Sequence, residues 1–318
     1  MIGHDDAWRA WRNGIASGRL HHGWILAGPE GIGKAGFAWQ AAAEWVNDDR
    51  AAQPAPERHP DILFITPLAA SDEDARKQAE GKPYAVKRNI SIEQVRLMQR
   101  RLVTRPTLGG RRAIIIDSAD DLEKGAVNAL LKSLEEPPQG TVLLLVVHRP
   151  GRLLATIRSR CQILRFGPLD AKDMALALKG RLAATGLANQ HSLIQLAAGS
   201  PGTAMTYVDL NLGKATALFT RLIECGDSDL SLRSELSGAL GQKPGRDAQL
   251  AALEAARRLL VTRLPLASHR EQLCIAEVHQ QFVRLGAQAP TYNFDPGLLL
   301  MEIGGLLATV AGSREGAS

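Results

Sequence analysis

The stretch Trp24-Ile25-Leu26-Ala27-Gly28-Pro29-Glu30-Gly31-Ile32-Gly33-Lys34-Ala35-Gly36 decides the fold. Four apolar residues without alternation read as a strand buried on both faces. The segment that follows is G-x-x-x-x-G-K, set between a strand and a helix, which is the context of a phosphate loop. Gly28, Gly31 and Gly33 would let backbone N–H groups curl around phosphates, and the helix N-terminus adds positive potential. Lys34 would reach the outer phosphates. The bland alternative is a glycine-rich turn that binds nothing. The next residue bears on that choice. A working loop continues with Ser or Thr, whose hydroxyl binds Mg²⁺. Here it is Ala35, and a methyl group cannot ligate a metal.

Four more β-rich runs follow: Ile62–Ile65, Ala113–Ile116, Val142–Val147 and Gln162–Phe166. The first three are continuously apolar, which suits parallel strands buried on both faces. The last is mixed and suits an edge. Between them lie helical patterns. Ser91 and Gln94 have capping-box spacing ahead of Val95, Leu97 and Met98. Leu122, Val127, Leu130, Leu131 and Leu134 share one helical face, and Pro137-Pro138 ends that helix. Residues 1–166 therefore read as an α/β domain with a five-stranded parallel sheet. The Pro-rich stretch Ala51–Pro60 and the polar stretch Ala70–Arg88 read as surface loops. Beyond Gly167-Pro168 the β signal fades. Residues 167–207 read as a small helical domain ending in Gly199-Ser200-Pro201-Gly202. Residues 208–318 read as a second helical domain, with breaks near Gly241–Gly245 and Gln288–Pro290.

Bulk properties exclude several classes. The 318 residues carry 38 Lys plus Arg against 33 Asp plus Glu, a surplus of +5 that permits nucleic-acid contact without demanding it. The three cysteines, Cys161, Cys225 and Cys274, are far apart and lack metal-ligand spacing, so neither a disulfide framework nor a zinc site is expected. The charged N-terminus is no signal peptide, and no apolar run is long enough to span a membrane. A cytoplasmic protein is the expectation.

A second nucleotide motif sits in Ile114-Ile115-Ile116-Asp117-Ser118-Ala119-Asp120. Asp117 ends an apolar strand and could hold Mg²⁺ through water, although a strand ending in Asp is also a common event. Ser118 stands where a general base would polarise the attacking water, and a hydroxyl is no base at neutral pH.

Asn128-Ala129-Leu130-Leu131-Lys132-Ser133-Leu134-Glu135-Glu136-Pro137-Pro138 resembles the clamp-loader branch of the AAA+ family, as does Arg152–Cys161 with its Ser159-Arg160-Cys161. His59-Pro60-Asp61 and Ala198–Gly202 fit the same pattern. The resemblance covers about residues 20–205 and implies an AAA+ domain, a helical lid and a helical collar. It also implies that Arg160, flanked by Ser159 and Cys161, is an arginine finger acting in trans, with Arg158 as the rival for that role. Within the family the departures at Ala35, Ser118, His148 and Gly202 resemble the delta-prime type of subunit. His148 stands where ATPases carry a small polar sensor, and Gly202 where they place an arginine on the γ-phosphate. This type has no ATP turnover of its own and works inside the DNA polymerase III holoenzyme. The implied partners are the motor subunits (gamma or tau), the delta subunit, the sliding clamp and primer–template DNA. No cofactor is required, and ATP binding is at most vestigial, through Gly28, Gly31, Gly33, Lys34 and Asp117. The four-cysteine zinc module that many such subunits carry before His-Pro-Asp is missing between Asn47 and Pro60. Two other readings stand beside this one: an active motor subunit, and a DNA-binding protein that kept the fold as a scaffold.

Two smaller signals remain. Arg96, Arg100, Arg101, Arg105, Arg111 and Arg112 read as phosphate contacts or as a solvated helix face, without aromatic residues for base stacking. His21-His22 cannot form a metal pair as neighbours that point apart, and they suit strand capping or packing near a nucleotide base.

Overall fold

The computed structural model describes residues 2–47, 54–180, 193–241, 244–288 and 294–313. Residues 51–53 of the Pro-rich stretch, 181–192 of the small helical region, and 242–243 and 289–290 of the two expected breaks lie outside these. Contacts divide the chain into two compact units, Met1–Pro168 and Leu169–Ser318.

The first unit is built on five strands: β1 (Gly23–Ala27), β2 (Ile62–Ile65), β3 (Arg112–Asp117), β4 (Thr141–Val147) and β5 (Gln162–Arg165). Their order is β2-β3-β4-β1-β5, and every pairing is parallel. Successive strand residues face opposite sides of the sheet, and the core divides accordingly. Trp24, Leu26, Ile115, Leu144 and Val146 pack with Trp11 of α1 (Asp5–Ala16) and Phe37 of α2 (Lys34–Val46) on one face. Ile25, Ile114, Ile116, Leu143 and Leu145 pack on the other with α4 (Ile92–Leu102) and α5 (Lys124–Glu135). A strand covered on both faces needs apolar residues along its middle, which is why β1, β3 and β4 carry no alternation and keep Arg112, Asp117 and Thr141 at strand ends.

The mixed run is an edge strand as expected, with only Leu164 of β5 buried. The continuous run of β2 is a correction. It forms the opposite edge, and Phe64 is exposed there, stacked on the Trp39 ring with centroids 5.0 Å apart. An aromatic lid replaces burial by a neighbouring strand. A second correction lies in Ala70–Arg88, where α3 spans Asp72–Ala79. Ser71 caps it by accepting from Asp74 N, and Asp72, Glu73 and Asp74 complement the dipole of its first turn. None of its residues is buried, so it leaves no apolar periodicity to read.

His59-Pro60-Asp61 serves the first unit as a staple. Asp61 is fully buried and accepts from Thr107 N and Leu108 N, each at 2.7 Å. Arg112 pairs with it at 3.6 Å and donates to the carbonyls of Arg101, Thr104 and Arg105. Arg111 lies over the Trp45 ring at 4.5 Å. Arg112 thus holds the loop that follows α4, while Arg111, like Arg96, Arg100, Arg101 and Arg105, is exposed.

The second unit is helical among the described residues. A small core joins Met174, Leu178, Ala197 and Ala204. A larger one forms around the helix Pro296–Gly312, which buries Leu299, Leu300, Ile303, Leu307 and Val310 against the helices Gly213–Cys225, Arg246–Arg263 and His269–Gln288. Among the described residues, no helix is long and apolar enough to cross a membrane.

Candidate functional site

The ends of β1, β3 and β4 open into a cleft of about 410 Å³ lined by Glu30, Lys34, Ala35, Thr66, Asp117, Ser118 and His148. Gly31 and Gly33 line it too, with φ of 73° and 106°, the left-handed region that bars most other residues. Lys34 opens α2 and is only 2% exposed. Its Nζ donates to the carbonyls of Gly28, at 2.7 Å, and Pro29. Burial lowers its pKa to about 8, against the opposing pull of Asp117, Glu30 and Asp120. The phosphate-loop lysine is therefore folded back on its own loop.

Asp117 is also poorly solvated. Burial raises its pKa, while His148 and Lys34 pull it down. His148 is held toward its neutral form by burial first and then by Lys34, and its buried Nδ1 has no hydrogen-bond partner among the described residues. Ser118 donates to Asp121 Oδ2 at 2.9 Å. Asp120 accepts from His148 N and Arg149 N, at 2.5 and 3.1 Å, and so pins the end of β4.

These residues do not fit a hydrolysable Mg²⁺–nucleotide. The hydroxyl that would meet the metal is the methyl of Ala35, and Ser118 offers no carboxylate for the water. Two of the three lysine donors already serve carbonyls of the loop itself. Gly202 lies in the second unit, in the first turn of the helix Pro201–Asp209. Among the described residues no group of three or more His, Cys, Asp or Glu is placed to hold a metal ion. His21 and His22 do not point apart as expected: their rings stack with centroids 4.4 Å apart, and His21 Nδ1 bonds to the backbone of Gly23 and so caps the start of β1.

Arg160 belongs to a different place. It follows α6 (Ala155–Arg158), just ahead of β5, and lines no part of the cleft. Its Nη1 donates to Thr156 O at 2.9 Å and Ser159 Oγ at 3.3 Å. Its Nη2 pairs with Glu135 Oε1 at 2.8 Å, with the two side chains 36% and 48% exposed. Cys161 packs under the sheet, and burial pushes its thiol up to about 12, so it is inert at neutral pH. Gly23 makes this seat. A Cβ there would lie 2.9 Å from Cys161 Sγ and 3.1 Å from Arg160 O.

The family model described as DNA polymerase III, delta subunit, matches residues 3–170. The chain belongs to the delta-prime clamp-loader family. Subunit delta′ of DNA polymerase III from Pseudomonas aeruginosa is 35% identical over 195 residues, which are 58% of this chain and 54% of that protein. Subunit tau from Escherichia coli is 26% identical over 246 residues, 76% of this chain and 35% of tau. The chain thus spans about half the length of the first relative and about a third of the second. A gamma subunit-related protein from Thermotoga maritima shares the fold, with a TM-score of 0.53, 18% identity, and coverage of 95% of this chain and 99% of that one.

Within the delta-prime family frame, Gly31, Gly33, Lys34, Asp117 and Ser118 meet in one cleft, which Gly28 does not line, while Ser159, Arg160 and Cys161 stand apart from it. Reading the sequence by motif did not single out Thr66, Asp121, Gly23 or Glu135. Thr66 sits in the loop after β2 and Asp121 ends a single 3-10 turn, Ala119–Asp121, and neither segment has a pattern to read. Gly23 carried a signal, being a glycine at the head of an otherwise apolar strand. Glu135 lay inside a string that was quoted for resemblance alone.

Proposed function

We propose that the chain is the non-hydrolysing, delta-prime-type subunit of a clamp loader that supplies Arg160 in trans to a neighbouring motor subunit. The observation that carries this reading is the contrast in where the cations lie. Lys34 is buried and bonded to two carbonyls of its own loop, whereas Arg160 is part-exposed beside a weak surface pair. Glu135 gives Arg160 an ion pair within its own chain. With both partners this exposed, such a pair contributes about 0–1 kcal/mol and does not prevent the guanidinium from meeting a phosphate. A planar, permanently charged fork matches the charge of a phosphoryl-transfer transition state.

In this proposal the partners are gamma or tau motor subunits, the delta subunit, a sliding clamp and primer–template DNA, in the cytoplasm. The first unit is the AAA+ domain. The second is divided into a lid (167–207) and a collar (208–318) that drives assembly. The likeness to tau favours a motor reading, but Ala35 and Ser118 leave no group to bind Mg²⁺ directly or to activate water.

The test is Arg160→Ala in a complex reconstituted with the motor and delta subunits. Assembly should be intact, and turnover at the served interface should fall by about 10³-fold or more. The fall for the whole complex is limited by the share of ATP turned over at that interface. Wild-type ATPase and clamp-loading rates from an assembled Arg160→Ala complex would overturn the proposal. The isolated wild-type chain should show no metal-dependent ATP hydrolysis.

A further inference from the structure

We infer that Glu135 is a positioning residue for Arg160, an assignment that rests on the trans-acting role proposed above. Glu135 is the last residue of α5, and Glu136 already leaves helical geometry ahead of Pro137-Pro138. The helix end therefore fixes where this carboxylate stands. Its location is electrostatically awkward, because a helix C-terminus carries partial negative charge and favours cations. The guanidinium of Arg160, 2.8 Å away, offsets that cost.

The anchoring of Arg160 is spread over its fork. Thr156 O and Ser159 Oγ take Nη1, and Glu135 takes Nη2. Nε makes no hydrogen bond among the described residues, and the side chain stays 36% exposed. A guanidinium has five N–H donors, so three anchors shared between Nη1 and Nη2 leave donors for a phosphate. A free surface arginine samples many rotamers and must lose them when it engages. One already tethered starts closer to the productive geometry. Thr156 and Ser159 belong to the same short turn as Arg160, so they constrain it only locally. Glu135 comes from a separate helix and ties the fork to the body of the domain. The two strings that resemble clamp loaders, one ending α5 and one preceding β5, are joined in space by this ion pair.

The tether is weak enough to leave the finger mobile, since both side chains are well exposed. Its loss should slow the step without abolishing it. The opposite role is a carboxylate that competes with phosphate for the fork. That role predicts faster turnover when Glu135 is removed.

The experiment compares ATP kcat and KM in the reconstituted complex for wild type, Glu135→Gln, Glu135→Ala, Arg160→Ala and the Glu135→Ala/Arg160→Ala double variant. Glu135→Ala should lower kcat about 3- to 5-fold, the size expected of an exposed pair, with KM changed less than about twofold. Glu135→Gln keeps an acceptor oxygen and should recover part of the loss. On the Arg160→Ala background, Glu135→Ala should add nothing. An unchanged or raised kcat in Glu135→Ala, or an equal loss on the Arg160→Ala background, overturns the assignment while an effect of Arg160→Ala leaves the parent reading standing. A silent Arg160→Ala removes both. Thermal melting of each isolated chain checks folding. If Glu135→Ala does not fold, Glu135→Gln decides, with a kcat loss of about twofold supporting the inference and a wild-type kcat overturning it.

Discussion

The cleft at the ends of β1, β3 and β4 and the corner before β5 are both made of loops at strand ends, yet they differ in what their charges do. In the cleft, Lys34 bonds to the carbonyls of its own loop, Ser118 to Asp121, and Asp120 to the backbone of His148 and Arg149. Each charge or hydroxyl has become a brace. At the corner, Arg160 keeps part of its surface and donors that no neighbour uses. A phosphate loop can lose its chemistry and keep its shape, because a buried lysine and glycines at positive φ still satisfy the backbone around them. An arginine finger, the role proposed for Arg160, has no such second use. Such a role requires the side chain to remain accessible, and the neighbours of Arg160 hold it without enclosing it.

If that contrast is right, the largest loss comes from changing the shape of the corner charge while preserving its sign. Arg160→Lys should remove about 10²-fold or more of the turnover at the served interface, since an ammonium cannot present a planar fork. ATPase of the reconstituted complex measures it, and near-wild-type turnover would show that charge alone suffices. The next largest effect is on stability. Gly23→Ala forces a methyl against Cys161 Sγ and Arg160 O. It should cost about 1–3 kcal/mol in urea unfolding, as overpacking does, and should reduce turnover in the complex by displacing the corner. A Gly23→Ala chain as stable as wild type would mean that the seat gives way easily.

The cleft makes its own prediction through pH. The folded pKa of Lys34 is lowered to about 8 from 10.5. Between those values the unfolded chain binds more protons than the folded one, so stability rises with pH. The burial penalty is fully present below pH 8 and is relieved as pH climbs toward 10.5. Denaturant midpoints across that window should rise for wild type relative to Lys34→Met, which has no proton to lose. Parallel curves for the two chains would mean that Lys34 is better solvated than its burial implies, and the brace reading of the cleft would weaken.

Much of this was legible before any coordinates. Continuous apolar runs gave β1, β3 and β4, because strands covered on both faces cannot afford a polar position. The same logic misled at β2, where Phe64 at the sheet edge is shielded by Trp39 and not by another strand. The helix Asp72–Ala79 was invisible for the opposite reason: it buries nothing, and its cap and first-turn acids work without any apolar stripe. In the cleft, the residue types at Ala35 and Ser118 are plain from the sequence. The contacts made around them are not. That Lys34 turns to Gly28 O, that Asp61 and Arg112 staple the 101–108 loop, and that Glu135 meets Arg160 are all contacts set by tertiary packing between separate segments, and no local spacing encodes them.

The smallest expected effect is the one that separates the two regions most cleanly. Ser118 is 5% exposed, and its hydroxyl donates to Asp121, which is itself exposed. Ser118→Ala removes one hydrogen bond and lets water serve Asp121, so it should cost about 1 kcal/mol or less in the isolated chain. Turnover in the complex should stay within about twofold, although Ser118 occupies the position next to Asp117 where a motor subunit would keep its acid. The converse substitution sharpens the point. Ser118→Glu places a carboxylate beside Asp117, whose own pKa burial already raises, and so adds a second poorly solvated acid. It should destabilise the chain and still yield no turnover, because Ala35 offers no hydroxyl to the metal and Lys34 is engaged with its loop. Metal-dependent hydrolysis by isolated Ser118→Glu would show that the cleft is one residue from activity, and the distinction between brace and finger would then be one of degree.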